Sequence, residues 1–142
     1  MKKNKSLSLF SVSFSKGFVA PNIPIATFKH EDMQLNFLLD TGSDSNSIDV
    51  NVLDKLNYNE AKDNTITHLT GVGGTQEVKS CSLTFKCQDE EYTADFLITD
   101  FSEPFANIYE AHGIQLHGIL GSKFLKENNI ILDFKNLAAY NR

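Results

Sequence analysis

At 142 residues, 41% of them hydrophobic, the chain is long enough for one domain around one core and too short for two lobes. Its formal net charge of -5 and pI near 5.3 provide no basic footprint, so neither nucleic acid nor an anionic membrane surface is an expected partner. No apolar run approaches the length of a membrane span.

The N-terminal segment Met1 to Lys5 is basic and leads into Ser6-Leu7-Ser8-Leu9-Phe10-Ser11-Val12-Ser13-Phe14. Serine interrupts the apolar residues throughout, and the small-residue site Val19-Ala20 is followed by Pro21. Both features argue against a cleaved secretory leader and for an alternating strand, found in part of Val12 to Phe18. Residues 1–20 are therefore expected to form an N-terminal strand or arm, and residues 21–142 the main lobe. Strand patterns follow at Ile23 to Lys29 and Gln34 to Leu39. The second ends abruptly as Phe37-Leu38-Leu39-Asp40-Thr41-Gly42-Ser43. A strand that delivers one carboxylate to a glycine turn can mount an acid in low-dielectric surroundings, where it does proton-transfer work.

The polar run Asp44-Ser45-Asn46-Ser47-Ile48-Asp49 lacks the central glycine and final Glu of a calcium loop and reads as a solvated loop. It leads into a helix predicted over Asp49 to Asn57, with Val52, Leu53 and Leu56 at helical spacing. Gly71-Val72-Gly73-Gly74, between Ile66-Thr67-His68-Leu69 and Gln76-Glu77-Val78, reads as a glycine-tipped hairpin. No Lys-Ser/Thr pair or helix follows it, so it is not a phosphate loop. In the strand Glu77 to Cys87, Cys81, Leu83, Phe85 and Cys87 alternate with Ser80, Ser82, Thr84 and Lys86, which buries one face. Its two cysteines would stand roughly 20 Å apart, too far to bridge each other, and fit small buried residues in a reducing cytoplasm.

A strand is predicted over Tyr92 to Thr99, and Phe101, Phe105 and Tyr109 fall in an irregular stretch, as candidates to line a substrate or dimer groove. His30, His68, His112 and His117 lack metal-ligand spacing and are expected at the surface or in turns, with His68 flanking the hairpin. Gly118-Ile119-Leu120-Gly121-Ser122 then echoes the earlier pattern, an apolar run closed by glycine. A short helix over Ser122 to Glu127 follows, with Ser122 as its N-cap and Asn128-Asn129 as its stop. Ile130 to Tyr140 reads as strand, turn, strand. The class is mainly β.

Taken in this order, the Asp40-Thr41-Gly42-Ser43 turn, the glycine-rich hairpin and Ile119-Leu120-Gly121 resemble the retropepsin-like, single-lobe aspartic proteases over nearly the whole chain. The resemblance implies a single-lobe β-barrel with one or two short helices, active as a homodimer. Each chain would give one Asp-Thr-Gly loop to a site on the dimer axis, so that Asp40 and its symmetry mate form the catalytic dyad. It also implies that Thr41 bonds across the dimer, that Gly42 permits close approach of the loops, and that Ser43 hydrogen-bonds the outer carboxylate oxygen. Asp44 would hold the substrate backbone. Gly71, Val72, Gly73 and Gly74 would form a flap over the substrate, and Ile119 and Leu120 would join in binding it. One departure stands out: the retroviral enzymes usually place Arg after the downstream glycine, where this chain has Ser122 and then Lys123, which lacks a bidentate fork.

The expected function is that of an aspartic endopeptidase, cytoplasmic and free of cofactor and metal, cutting extended, largely hydrophobic segments of a peptide or protein substrate. The alternative is a catalytically silent peptide-binding or dimerisation module of the same fold. A third expectation has the N-terminal arm occupying the groove or the dimer edge.

Overall fold

Two-residue periodicity decides the architecture. The computed structural model describes residues 9–60, 66–71 and 74–141, with the backbone alone for residues 60, 66–71 and 74–78. The strands are β1 (Ser11–Ser13), β2 (Ile25–His30), β3 (Met33–Asp40), β4 (Asn46–Asp49), β5 (Asn59–Glu60), β6 (Ile66–Gly71), β7 (Gly74–Cys87), β8 (Glu90–Thr99), β9 (Gly118–Gly121), β10 (Ile131–Asp133) and β11 (Ala138–Tyr140). Between them lie α1 (Lys16–Val19), a 3-10 helix (Val50–Lys55), α2 (Ser102–His112) and α3 (Ser122–Glu127).

Six strands close on themselves in the order β2-β3-β9-β4-β8-β7, and Lys29 opposite Lys86 seals β7 against β2. The β3–β9 and β4–β8 pairs are parallel, while the other neighbours in the ring are antiparallel. Alternate residues point inward: Leu35, Phe37 and Leu39 from β3, Leu83 and Phe85 from β7, Phe96 from β8. The aromatic rings interlock, with Phe85 edge-on to Phe28 at 5.2 Å and to Phe37 at 5.6 Å. Each fully buried side chain of this size contributes about 1.5–3 kcal/mol.

The N-terminal segment joins the same core. Phe10 and Phe14 are fully buried, and Phe10 packs edge-on against Tyr92 at 5.5 Å. β1 pairs with β11, which pairs in turn with β10, giving a separate three-stranded sheet. The strand expected within Val12 to Phe18 is thus three residues long and gives way to α1.

Four local expectations are corrected. Asn46–Asp49 is a strand between β9 and β8, buried at every position, where a solvated loop was expected. Residues 102–112 form α2, where an irregular stretch was expected. Glu103 lies in its first turn, and Gly113 ends it in the left-handed region at φ 74°. At α3 the capping residue is Gly121, with no side-chain bond from Ser122 serving as cap. Lastly, His30 is a core residue, 5% exposed: Nδ1 donates to the Thr84 carbonyl (2.8 Å) and Nε2 accepts from the Asn57 amide (2.9 Å). The neutral ring therefore ties β2 to β7 and to the chain leaving the 3-10 helix.

Candidate active site

The two segments that echo each other in sequence are neighbours in space. β3 runs parallel to β9 in a register that pairs Leu38 with Ile119, Leu39 with Leu120 and Asp40 with Gly121. Directly paired residues share a face, so one side of this pair carries Leu39 and Leu120, 2% and 0% exposed within the barrel. The opposite side carries Leu38, Ile119 and Asp40, all half-buried. Leu120 is therefore a core residue and does not reach a substrate groove; Ile119 is the member of the pair on the Asp40 face.

Beyond Asp40 the chain turns tightly. The Gly42 amide donates to Asp40 Oδ1 (2.9 Å) and the Ser43 amide to the Asp40 carbonyl (3.2 Å). A methyl group on Gly42 would lie 3.2 Å from that same Oδ1, so glycine keeps the carboxylate uncrowded. Thr41, Gly42 and Asp44 are exposed. The resemblance puts Ser43 on the carboxylate, but its single hydroxyl proton goes to the Ser45 carbonyl (2.8 Å) and closes the loop on itself.

The loop is fastened to the start of α3 by backbone groups. Ser122 N donates to the Ser43 carbonyl (2.7 Å) and Lys123 N to the Asp44 carbonyl (3.2 Å). Gly121 N donates to Asn46 Oδ1 (2.9 Å). Amides thus make the tie here, and a guanidinium fork after Gly121 is not needed for it. The loop wraps Gly121 so closely that a Cβ there would sit 2.5 Å from the Ser45 carbonyl oxygen and 2.7 Å from that of Ser43.

α2 packs over Leu38 on the Asp40 face. Leu38 packs with Ile25, Phe105 and Leu116 in a second, smaller core, joined by Phe101, Ile108 and Ile114. Phe101 and Phe105 stack at 4.5 Å, so Phe105 fills this core rather than lining an open groove, whereas Tyr109 is 53% exposed. Buried Asp49 docks the helix: its Oδ1 accepts from Phe101 N (3.2 Å) and from Asn51 Nδ2 (3.0 Å), and Asn51 Nδ2 also donates to Ser102 Oγ (2.7 Å).

The flap candidate is the β6–β7 hairpin, whose register runs to Gly71 opposite Gly74. Val72 and Gly73 lie outside the described residues.

Ahead of β9, His117 Nδ1 accepts from Asn36 N (2.9 Å) and His117 N donates to the Asn36 carbonyl (2.9 Å). Burial, chiefly, holds this imidazole below its ordinary pKa; the charges of Lys55 and Lys16 add to the effect and Asp49 opposes it. Burial, with Asp95 adding, pushes the Cys81 thiol up to about 11, and burial raises Cys87 as well, so neither behaves as a nucleophile. Among the described residues, no group of three or more His, Cys, Asp or Glu is arranged to hold a metal ion, and no helix is long and apolar enough to cross a membrane. Sequence reasoning missed Asn46, Asp49 and His117, because each acts through partners distant in the chain.

A lone Asp-Thr-Gly turn at the end of a barrel strand, backed by a parallel strand ending in Leu-Gly, defines an aspartic-protease lobe. The aspartyl protease family model matches residues 26–124, from β2 into α3, and the chain belongs to that family. Among solved structures it is similar to the EIAV protease complexed with the inhibitor HBY-793, with 23% identity over 76% of this chain and 89% of that one and a TM-score of 0.51. It is also similar to a retropepsin-like aspartic protease from Rickettsia conorii, with 10% identity over 99% of this chain and 96% of that one and a TM-score of 0.51. At these identities the likeness carries the fold, which is retropepsin-like. No curated protein matches the chain.

Proposed function

We propose that the chain is an aspartic endopeptidase that acts as a homodimer, with one Asp40 from each copy. The carrying observation is a single Asp40 at a strand end, in a turn whose Thr41 and Gly42 face solvent and leave room for a second copy. Hydrolysis of an amide without metal or covalent nucleophile needs one group to take a proton while another gives one. A pair of carboxylates sharing one proton does both. The ionised member takes a proton from water as its oxygen attacks the carbonyl carbon, and the protonated member gives its proton to the carbonyl oxygen. Collapse of the resulting diol breaks the C–N bond, and a proton returns to the leaving nitrogen.

The substrate lies extended across the Asp40 face. Ile119 beside the acid supports a preference for apolar side chains, Asp44 holds the substrate backbone, and Gly71, Val72, Gly73 and Gly74 close from above. The test is cleavage of a diverse peptide library from acid to neutral pH at several protein concentrations, with Asp40→Asn in parallel. The expected result is cleavage that is favoured by acid, rises faster than linearly with concentration and vanishes in the variant. A chain shown to be dimeric that cuts nothing would leave a silent peptide-binding module as the reading.

A further inference from the structure

Asn46 is 9% exposed and opens β4, three residues past the Asp40 turn. Its planar amide is used on both sides: Oδ1 accepts from Gly121 N (2.9 Å) and Nδ2 donates to the Asp95 carbonyl of β8 (3.1 Å). The β4–β9 ladder pairs Ser47 with Ile119 and Ile48 with Gly118, and it stops before Gly121. Asn46 therefore serves a buried amide that the ladder does not reach, and leaving such a group unpaired is costly. Three successive amides, Gly121, Ser122 and Lys123, are held by Asn46 Oδ1, the Ser43 carbonyl and the Asp44 carbonyl. Gly121 is also the register partner of Asp40. The side chain at 46 thus fixes the far end of the loop against the strand beside the acid and braces both on β8.

We infer that Asn46 is a positioning residue for Asp40, acting through Gly121 and the 43–45 loop to set where the carboxylate stands relative to its mate. The inference rests on the dyad reading above. A pair of carboxylates titrates according to its separation, so a displaced loop changes the titration as well as the rate.

Three variants test it. Asn46→Leu keeps the approximate volume and removes both hydrogen bonds. Asn46→Asp keeps the shape, and only its neutral form has the acceptor for Gly121 N and the donor for the Asp95 carbonyl. Asn46→Ala controls for lost packing. The titratable groups on the surrounding elements are Asp40 and Asp44 on the loop, Asp49 on β4, Asp95 on β8 with Glu90, Glu91 and Tyr92 at its far end, His117 before β9, and Lys123, Lys126 and Glu127 on α3. In dimers confirmed by sedimentation, Asn46→Leu is expected to lower kcat by about tenfold to a hundredfold, the scale of a small misplacement of reacting groups, with KM changed less than kcat. Asn46→Asp should recover towards wild type as pH falls and its carboxyl becomes neutral.

Carbon NMR titration of the Asp40 carboxyl supplies a readout independent of cleavage. The apparent titration should move in Asn46→Leu relative to wild type, and return in Asn46→Asp on the acid side. An unmoved titration in a folded Asn46→Leu overturns the inference whether or not peptide is cut. A titration that moves in Asn46→Leu, when the wild-type protein itself cuts nothing, counts against the protease reading alone. If Asn46→Leu does not fold, the Asn46→Asp titration decides: one that matches wild type over the whole pH range also overturns the inference.

Discussion

The ends of β3 and β9 begin from nearly the same local sequence and finish in opposite surroundings. Leu38-Leu39-Asp40 leads into a turn that solvent reaches, with a glycine amide folded onto the carboxylate. Ile119-Leu120-Gly121 leads directly into α3, with the buried Gly121 wrapped by two carbonyl oxygens where a side chain would begin. Both send one leucine into the barrel and one apolar residue to the outer face. The difference falls on the side chain: β3 ends in a carboxylate and β9 in no side chain at all. The second strand supplies the space and the amides that fix the loop of the first, so the site depends on a pair of strand ends rather than on one motif.

The largest expected effect comes from erasing the chemistry at the β3 end. Asp40→Asn should reduce cleavage at least about a thousandfold, within the range that general acid–base catalysis contributes, with melting temperature and dimerisation close to wild type. Retained hydrolysis would move the acid elsewhere. Next comes the β9 end, where Gly121→Ala forces a methyl into two backbone carbonyls that cannot rotate away. It should cost about 3 kcal/mol in urea denaturation, the upper end for overpacking, and activity should fall with stability. Gly42→Ala should separate the two effects. Its methyl meets only the Asp40 carboxylate oxygen at 3.2 Å, so the denaturation midpoint should hold while kcat drops by about tenfold as the acid is displaced. Equal loss of stability in both glycine variants would erase the proposed distinction between a chemical end and a structural end.

The legible parts of the molecule were those in which side-chain pattern and burial coincide. β7 could be read from Cys81, Leu83, Phe85 and Cys87, and β3 from its apolar residues, because each buries one regular face. The catalytic candidate was legible because a strand ending in Asp-Thr-Gly is a local signal. β4 was not: Asn46, Ser47 and Asp49 are polar, and their burial is made possible by Asn46 on the Asp95 carbonyl and by amides on Asp49. No local pattern announces a polar strand whose side chains are satisfied by backbone groups elsewhere in the chain. α2 was legible in principle, with Phe101, Phe105 and Ile108 four and three residues apart and Gly113 at the stop. Pro104 obscured it, although proline is tolerated in a first turn. The hydroxyl of Ser43 shows a different limit, since a motif names the residue and the fold decides where its proton goes.

The smallest expected effect lies where the paired strands begin, at Asn36 and His117. Nδ1 of His117 accepts the Asn36 amide, so protonation there must break that bond. The folded ring binds a proton less readily than the unfolded ring, whose reference value is 6.5. Stability from this pair is therefore fully present above about pH 6.5 and is lost as pH falls from there through the lower folded value. Asp133, lowered to about 2 mainly by its bonds from Asn136, acts in a different window, its contribution declining as pH falls below 3.8. The two can thus be told apart in one series of denaturation curves. His117→Gln offers an amide oxygen to the Asn36 N–H that does not titrate in this range. It should cost no more than about 1 kcal/mol at pH 7.5, the worth of one hydrogen bond, and flatten the decline just below pH 6.5 while leaving the lower window intact. If the variant declines as steeply as wild type just below pH 6.5, another group carries that dependence, and the start of β9 is no more sensitive to acid than its buried end.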